Sequence, residues 1–274
     1  MLPSFLLSLR EGLEAALIIG IVVGALYKIG RPDLKPVVWA GTASAAVLSV
    51  IVAVLLVSMG TRFEGRAEEI FEGFAMLLAA GILTWMVFWM RAHAETLKTE
   101  LEMDVRRAAI RGGAGAVFLL AFLSVSREGL ELALFLAAAQ MTVEGLNTFL
   151  GALLGLAAAV LLGWIFFTTT RNLSLKRFFQ VTNILLILFA AGLVAHGVHE
   201  LNEAGIIPPV IEHVWDINHI LDEDSLAGQI LKALFGYNGN PSLTEVLAYI
   251  SYFILIGLGL TRINKTIRAA KQAN

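Results

Sequence analysis

The chain has 274 residues, 58% hydrophobic and only 15% charged, with a mean hydropathy of +0.78 and a formal net charge of −2. Soluble domains carry about 25% charged residues, so this composition argues against a water-soluble globule. With no cysteine in the chain, disulfides, thiolate metal sites and haem attachment are excluded, and any metal must meet oxygen or imidazole.

Apolar runs of about 18 residues or more, the length that crosses a bilayer, predict seven helices. They are Leu2–Tyr27, Val37–Met59, Ile70–Met90, Gly115–Met141, Phe149–Thr170, Phe178–Gly197 and Leu243–Leu260. The expected fold is all-α, a polytopic membrane protein in contact with lipid. The first run carries Arg10, Glu11 and Glu14 in its middle and no small-residue cleavage site after it, so it reads as a retained span and not a signal peptide. The second and fifth runs contain no charge. Between the third and fourth, the charged segment Ala92–Arg111 predicts a helical connector ending at Gly112-Gly113.

Seven spans put the termini on opposite faces. Lys and Arg sort by face: fifteen lie in the loops at 28–36, 91–114 and 171–177 and in the C-terminal tail, against three in the loops at 60–69, 142–148 and 198–242. The positive-inside rule then predicts an outer N-terminus and a cytoplasmic C-terminus in the plasma (inner) membrane. Acidic residues show the reverse bias, so the outer loops carry a formal −8 and the inner ones +10. An acidic outer face concentrates cations.

The pentapeptide Arg10-Glu11-Gly12-Leu13-Glu14 recurs as Arg127-Glu128-Gly129-Leu130-Glu131, and Leu77–Leu83 is echoed by Leu188–Val194. Residues 1–91 and 115–200 therefore read as two copies of a three-helix unit, joined by a cytoplasmic connector at 92–114. A unit with an odd number of spans must be inverted in its second copy, a common transporter build with the substrate site at the repeat interface. The outer loop at 201–242 and the seventh helix with its basic tail, 243–274, lie outside the repeat.

At about 100° per residue, the three charges of each motif share one helix face while the glycine and leucine point elsewhere. Each ionisable group costs roughly 2.5–3.5 kcal/mol at the centre of a span, so the six must face one another or a polar cavity. Gly12 and Gly129 permit close helix approach. Arg10–Glu14 and Arg127–Glu131 have the spacing of ion pairs, which would leave Glu11 and Glu128 least compensated and open to a hard cation. A purely structural pair of bridges would bear that desolvation cost for packing that apolar helices achieve without it.

Two such motifs in the first and fourth of seven spans resemble the oxidase-dependent iron permeases, comprising the fungal high-affinity iron permeases and the bacterial permeases of ferrous-iron uptake systems. Leu83–Met90, Val198–Gly205 and Phe235-Gly-Tyr extend the resemblance along nearly the whole chain. It implies a transporter and not an enzyme, with iron as substrate and no permanently bound cofactor. It also implies that Glu11, Glu14, Glu128 and Glu131 bind iron during passage. A separate extracytoplasmic iron oxidase, supplying the iron in ferric form, or an iron-binding partner protein would deliver it. No nucleic-acid partner is expected.

Further stations follow from spacing. His196, His199, Glu200 and Glu203 share one face where the sixth span emerges outside, and read as metal ligands. Glu64, Glu68 and Glu72 form an acidic stripe at the start of the third span; Glu64 pairs with Thr61 as a capping box, leaving Glu68, Glu69 and Glu72 to pass a cation inward. Ser242 and Glu245 form a second capping box. Trp39, Trp85 and Trp89 read as interfacial anchors. A permease for manganese or lead would use the same oxygen cage, and uptake competition separates it. A metalloenzyme built on the histidine face would turn over without moving ions, yet would leave the paired motifs without a role.

Overall fold

The computed structural model describes residues 1–60, 63–93, 96–142, 145–168, 175–223 and 225–273. Among them the chain is helical without strands: α1 Leu2–Lys28, α2 Lys35–Gly60, α3 Arg66–His93, α4 Leu97–Arg107, α5 Gly113–Thr142, α6 Gly145–Thr168, α7 Leu175–Glu203, α8 Leu226–Phe235 and α9 Leu243–Ala273. Six helical stretches, in α2, α3, α4–α5, α6, α7 and α9, are long and apolar enough to cross a membrane. The seventh long helix is α1, whose 27 residues span roughly 40 Å. Large apolar side chains lie exposed along α2 (Val47, Val50, Ile51, Val54), α6 (Leu153, Leu154, Val160, Leu161) and α9 (Ile250, Ile254, Leu255, Leu258), while Arg10, Glu11, Glu14 and Glu128 are buried. This polarity is the reverse of a soluble protein's and fits hydrocarbon as the surrounding solvent. The chain is a polytopic all-α membrane protein.

From α1 to α7, helices that follow one another in the chain touch little. The extensive pairings are α1 with α6, α2 with α5, and α3 with α7, with α1 and α5 meeting at the centre and α9 laid outside α7 and α3. Glycines make these crossings possible. A Cβ on Gly12 of α1 would lie 2.7 Å from the Ala159 Cβ of α6, and one on Gly129 of α5 would strike the Ser49 hydroxyl of α2. Gly41 of α2 meets the Phe118 carbonyl and Gly151 of α6 meets the Met1 carbonyl. Met1 and Phe118 stand 117 residues apart, the interval that separates the two pentapeptides. Thus α1 treats α6 as α5 treats α2.

At one end of the bundle, the connector α4 packs Val105 and the adjacent Ala109 against Val22, Leu26, Val38 and Val117, and Lys28 Nζ lies 2.8 Å from Glu102. A five-residue π stretch, Ala108–Gly112, and Gly113 at φ +64° turn this connector into α5. The break falls where Gly112-Gly113 predicts it.

At the other end, Arg66 Nε donates to the Ala204 carbonyl at 2.9 Å, tying the start of α3 to the end of α7. Here α7 runs six residues beyond the Gly197 expected to end its span. The segment read as an outer loop contains α8. Ser225 caps it by accepting from the Gly228 amide at 3.0 Å, and Gly236 ends it at φ +67°. The absence of a side chain also lets Gly236 seat directly on Gly192, eleven residues back from the end of α7. So α8 descends alongside α7, roughly 16 Å from that helix's tip at about 1.5 Å per residue. The Ser242–Glu245 capping box is present, with the Ser242 amide 3.0 Å from Glu245 Oε1 and the Glu245 amide 3.2 Å from Ser242 Oγ. Thr61, the partner expected for Glu64, lies outside the described residues, as does Asp224 of the outer loop.

Candidate functional site

The two pentapeptides face each other across the α1–α5 contact. Helical spacing puts positions one, two and five of each on a common side, and Gly12 and Gly129 let α6 and α2 close against the backs of these helices. Arg10 is completely buried. Its Nη1 donates to Glu11 at 2.7 Å and reaches the Met86 sulfur of α3 at 3.0 Å, and its Nη2 lies 2.9 Å from Glu14. Glu14 thus pairs as its spacing predicts, but Glu11, expected to be uncompensated, also meets this guanidinium. The fixed fork of arginine can serve two carboxylates at once.

The second motif is arranged differently. Arg127 Nε donates to Glu131 at 3.0 Å but stays 4.0 Å from Glu128, and its guanidinium carbon lies 4.3 Å over the Trp89 ring. Trp89 is therefore more than an interfacial anchor: it supports a motif arginine.

Oxygen atoms of Glu11, Glu128 and Glu131 lie within 4.8 Å of one another, the only such group of three or more potential ligands among the described residues. Glu11 Oε2 and Glu131 Oε2 are buried without a hydrogen-bond partner. Buried carboxylate oxygens are normally satisfied, and these two belong to residues of the same three-carboxylate group. Glu14 borders the group and is held to Arg10.

Of the other stations, Glu68 and Glu72 line a cavity of about 120 Å³ with Leu56 and Val57 of α2 and Ala137, Gln140 and Met141 of α5. Gln140 lies nine residues beyond Glu131 on the same helix, roughly 13 Å away. Sequence reasoning passed over it, although a lone amide in an apolar run was the available signal. Glu69 is half-buried beside the cavity-lining pair on α3.

The α7 face is engaged within the protein. His196 Nδ1 lies 3.1 Å from the Gly192 carbonyl, and His199 Nδ1 lies 3.1 Å from Glu245 Oε1. Asn238 donates to the other Glu245 oxygen at 2.8 Å. Glu200 is half-buried and Glu203 exposed near the end of α7. The helix cap of α9 thus also anchors α7 and the loop after α8.

An apolar exterior around ionisable side chains that converge between two helices is a build that membrane transporters share. Residues 1–267 match the Iron permease FTR1 family, and the chain belongs to it. It is similar to proteins named "Ferrous iron permease EfeU": that of Escherichia coli O157:H7 is 38% identical over 256 residues, covering 93% of each chain. The Shigella sonnei protein gives the same values, and that of Yersinia pestis is 36% identical over 93% of this chain and 91% of its own. No solved structure matches the chain.

Proposed function

We propose that this protein carries iron inward across the plasma (inner) membrane, holding it between α1 and α5 on Glu11, Glu128 and Glu131. The observation behind this reading is the convergence of those three carboxylates, with two orphaned oxygens, in the buried centre of the bundle. Four motif glutamates against two arginines leave a formal surplus of two negative charges. An all-oxygen, net-negative cage favours a hard, highly charged ion, which suits ferric iron delivered by a separate oxidase at the outer face. The relatives are named for ferrous iron, the form such a partner would consume.

In this reading α1, α2, α3, α5, α6, α7 and α9 are seven spans, with the N-terminus outside and the C-terminus cytoplasmic, as the fifteen-to-three sorting of Lys and Arg favours. The matched crossings of α1 with α6 and α5 with α2 support two inverted units. Iron gathers at Glu68, Glu69 and Glu72, with His196, His199, Glu200 and Glu203 flanking the entrance, and reaches the carboxylates, where Arg10 and Arg127 compete with it. Rocking of one unit on the other opens the site inward. The membrane potential favours entry by about 2.3 kcal/mol per charge per 100 mV, roughly 7 kcal/mol for a trivalent ion.

The test is radioactive iron uptake into proteoliposomes, ferric against ferrous, for the native protein and for Glu11→Gln with Glu128→Gln. Uptake lost in the folded double variant supports the site. Uptake that survives it refutes the carboxylate cage.

A further inference from the structure

The two motifs are identical in sequence, yet their arginines stand in unlike settings. Arg10 is sealed from solvent and lies within 3 Å of both carboxylates of its motif. Arg127 keeps 41% of its side-chain surface and lies 3.0 Å from Glu131 but 4.0 Å from Glu128. What differs is the partner on α3. Arg10 meets Met86, whose thioether is a weak acceptor and leaves the guanidinium with Glu11 and Glu14. Arg127 meets the face of Trp89, three residues further along the same helix. An indole face attracts a cation through its quadrupole and is the strongest aromatic partner for one.

We propose that Trp89 is a positioning residue for the buried site, holding Arg127 back from Glu128 so that Glu128 stays free to act as a cation ligand with Glu11 and Glu131. Glu11 and Glu131 each already share an oxygen with a guanidinium. Glu128, with none within 3 Å, is therefore the one carboxylate of the three whose charge is left for the ion, and Arg127 closing on it would remove that. One face of α3 thereby makes the two motifs unequal: in the first the guanidinium contacts both carboxylates, and in the second it is held to Glu131 and stands off from Glu128. This inference rests on the proposed cation site, and it adds a residue that sets the site's affinity without touching the ion.

The experiment compares native protein with Trp89→Leu, Trp89→Phe and Trp89→Leu/Arg127→Gln in lipid nanodiscs. Binding of radiolabelled ferric iron, supplied as its citrate complex, is measured, with thermal unfolding to check the fold. Loss of a cation–π contact of this kind supports an affinity change of about tenfold. Trp89→Leu is expected to bind about tenfold more weakly, and Trp89→Phe to stay near native by retaining a ring face. The double variant, lacking the competing guanidinium, is expected to recover. A Trp89→Leu protein with native affinity, or a double variant as weak as Trp89→Leu, would overturn the proposal, since a packing defect alone would persist without Arg127.

A second readout needs no iron: phenylglyoxal modification of Arg127, followed by mass spectrometry, should slow in Trp89→Leu as the guanidinium withdraws among the carboxylates. An unchanged or faster rate overturns the proposal. Slowed modification in a protein that binds no iron even in native form supports the Trp89 contact and counts against the transport reading alone.

Discussion

Replacing Gly12 with alanine tests the crossing on which the site depends. Alanine is the better helix former by about 0.5–1 kcal/mol in a helix interior, so with free space around it the change would stabilise α1. The space is absent. The new methyl carbon would lie 2.7 Å from the Ala159 Cβ and 3.2 Å from Leu156 Cδ2, whereas carbons in contact sit about 3.5–4.0 Å apart. Leu156 can swing its side-chain tip aside, but the Ala159 methyl is fixed to its helix. The two helices must separate by about 1 Å, and overpacking of this kind costs about 1–3 kcal/mol. Allowing for the propensity gain, Gly12→Ala is expected to lose about 1–2 kcal/mol. Shifting α1 against α6 also displaces Glu11 from its register with Glu128 and Glu131, lowering iron uptake. Ala159→Gly removes the obstructing methyl, so the double variant should regain most of both. Thermal unfolding in detergent micelles, beside uptake into proteoliposomes, provides the measurements. A Gly12→Ala protein more stable than native, or no relief from Ala159→Gly, would refute the crossing as the cause.

The two arginines should differ when removed. Arg10→Gln leaves Glu11 and Glu14 uncompensated in a fully buried setting, a class of change that costs about 3–5 kcal/mol. Arg127→Gln, at a side chain 41% exposed, should cost clearly less, and folded yield with unfolding midpoints in one detergent would show the order. Glu245→Ala should destabilise by about 2–4 kcal/mol, because it strands His199, Asn238 and the Ser242 amide together. Hydrogen exchange should then rise at the start of α9 and around Asn238, leaving the α1–α5 contact protected.

Much of this protein is legible from local pattern alone. Length and apolarity define the long helices, since a chain in hydrocarbon must satisfy its backbone within each segment. Helical periodicity puts Arg10, Glu11 and Glu14 on one face, and i,i+4 spacing pairs Arg10 with Glu14 and Arg127 with Glu131, as found. The Ser242–Glu245 cap is equally local. What no local pattern carries is the choice of neighbour. That α1 lies against α6, that α8 descends along α7, and that His199 reaches Glu245 across 46 residues are decided by packing among surfaces distant in sequence. The sharpest case is the pair of pentapeptides themselves. Five identical residues hold identical local information, so their difference must come from outside them: α3 presents sulfur to Arg10 and an indole face to Arg127. Tertiary structure alone could make two equal motifs unequal, because a cation's position depends on every charge and quadrupole within a few ångströms, wherever in the chain each one lies.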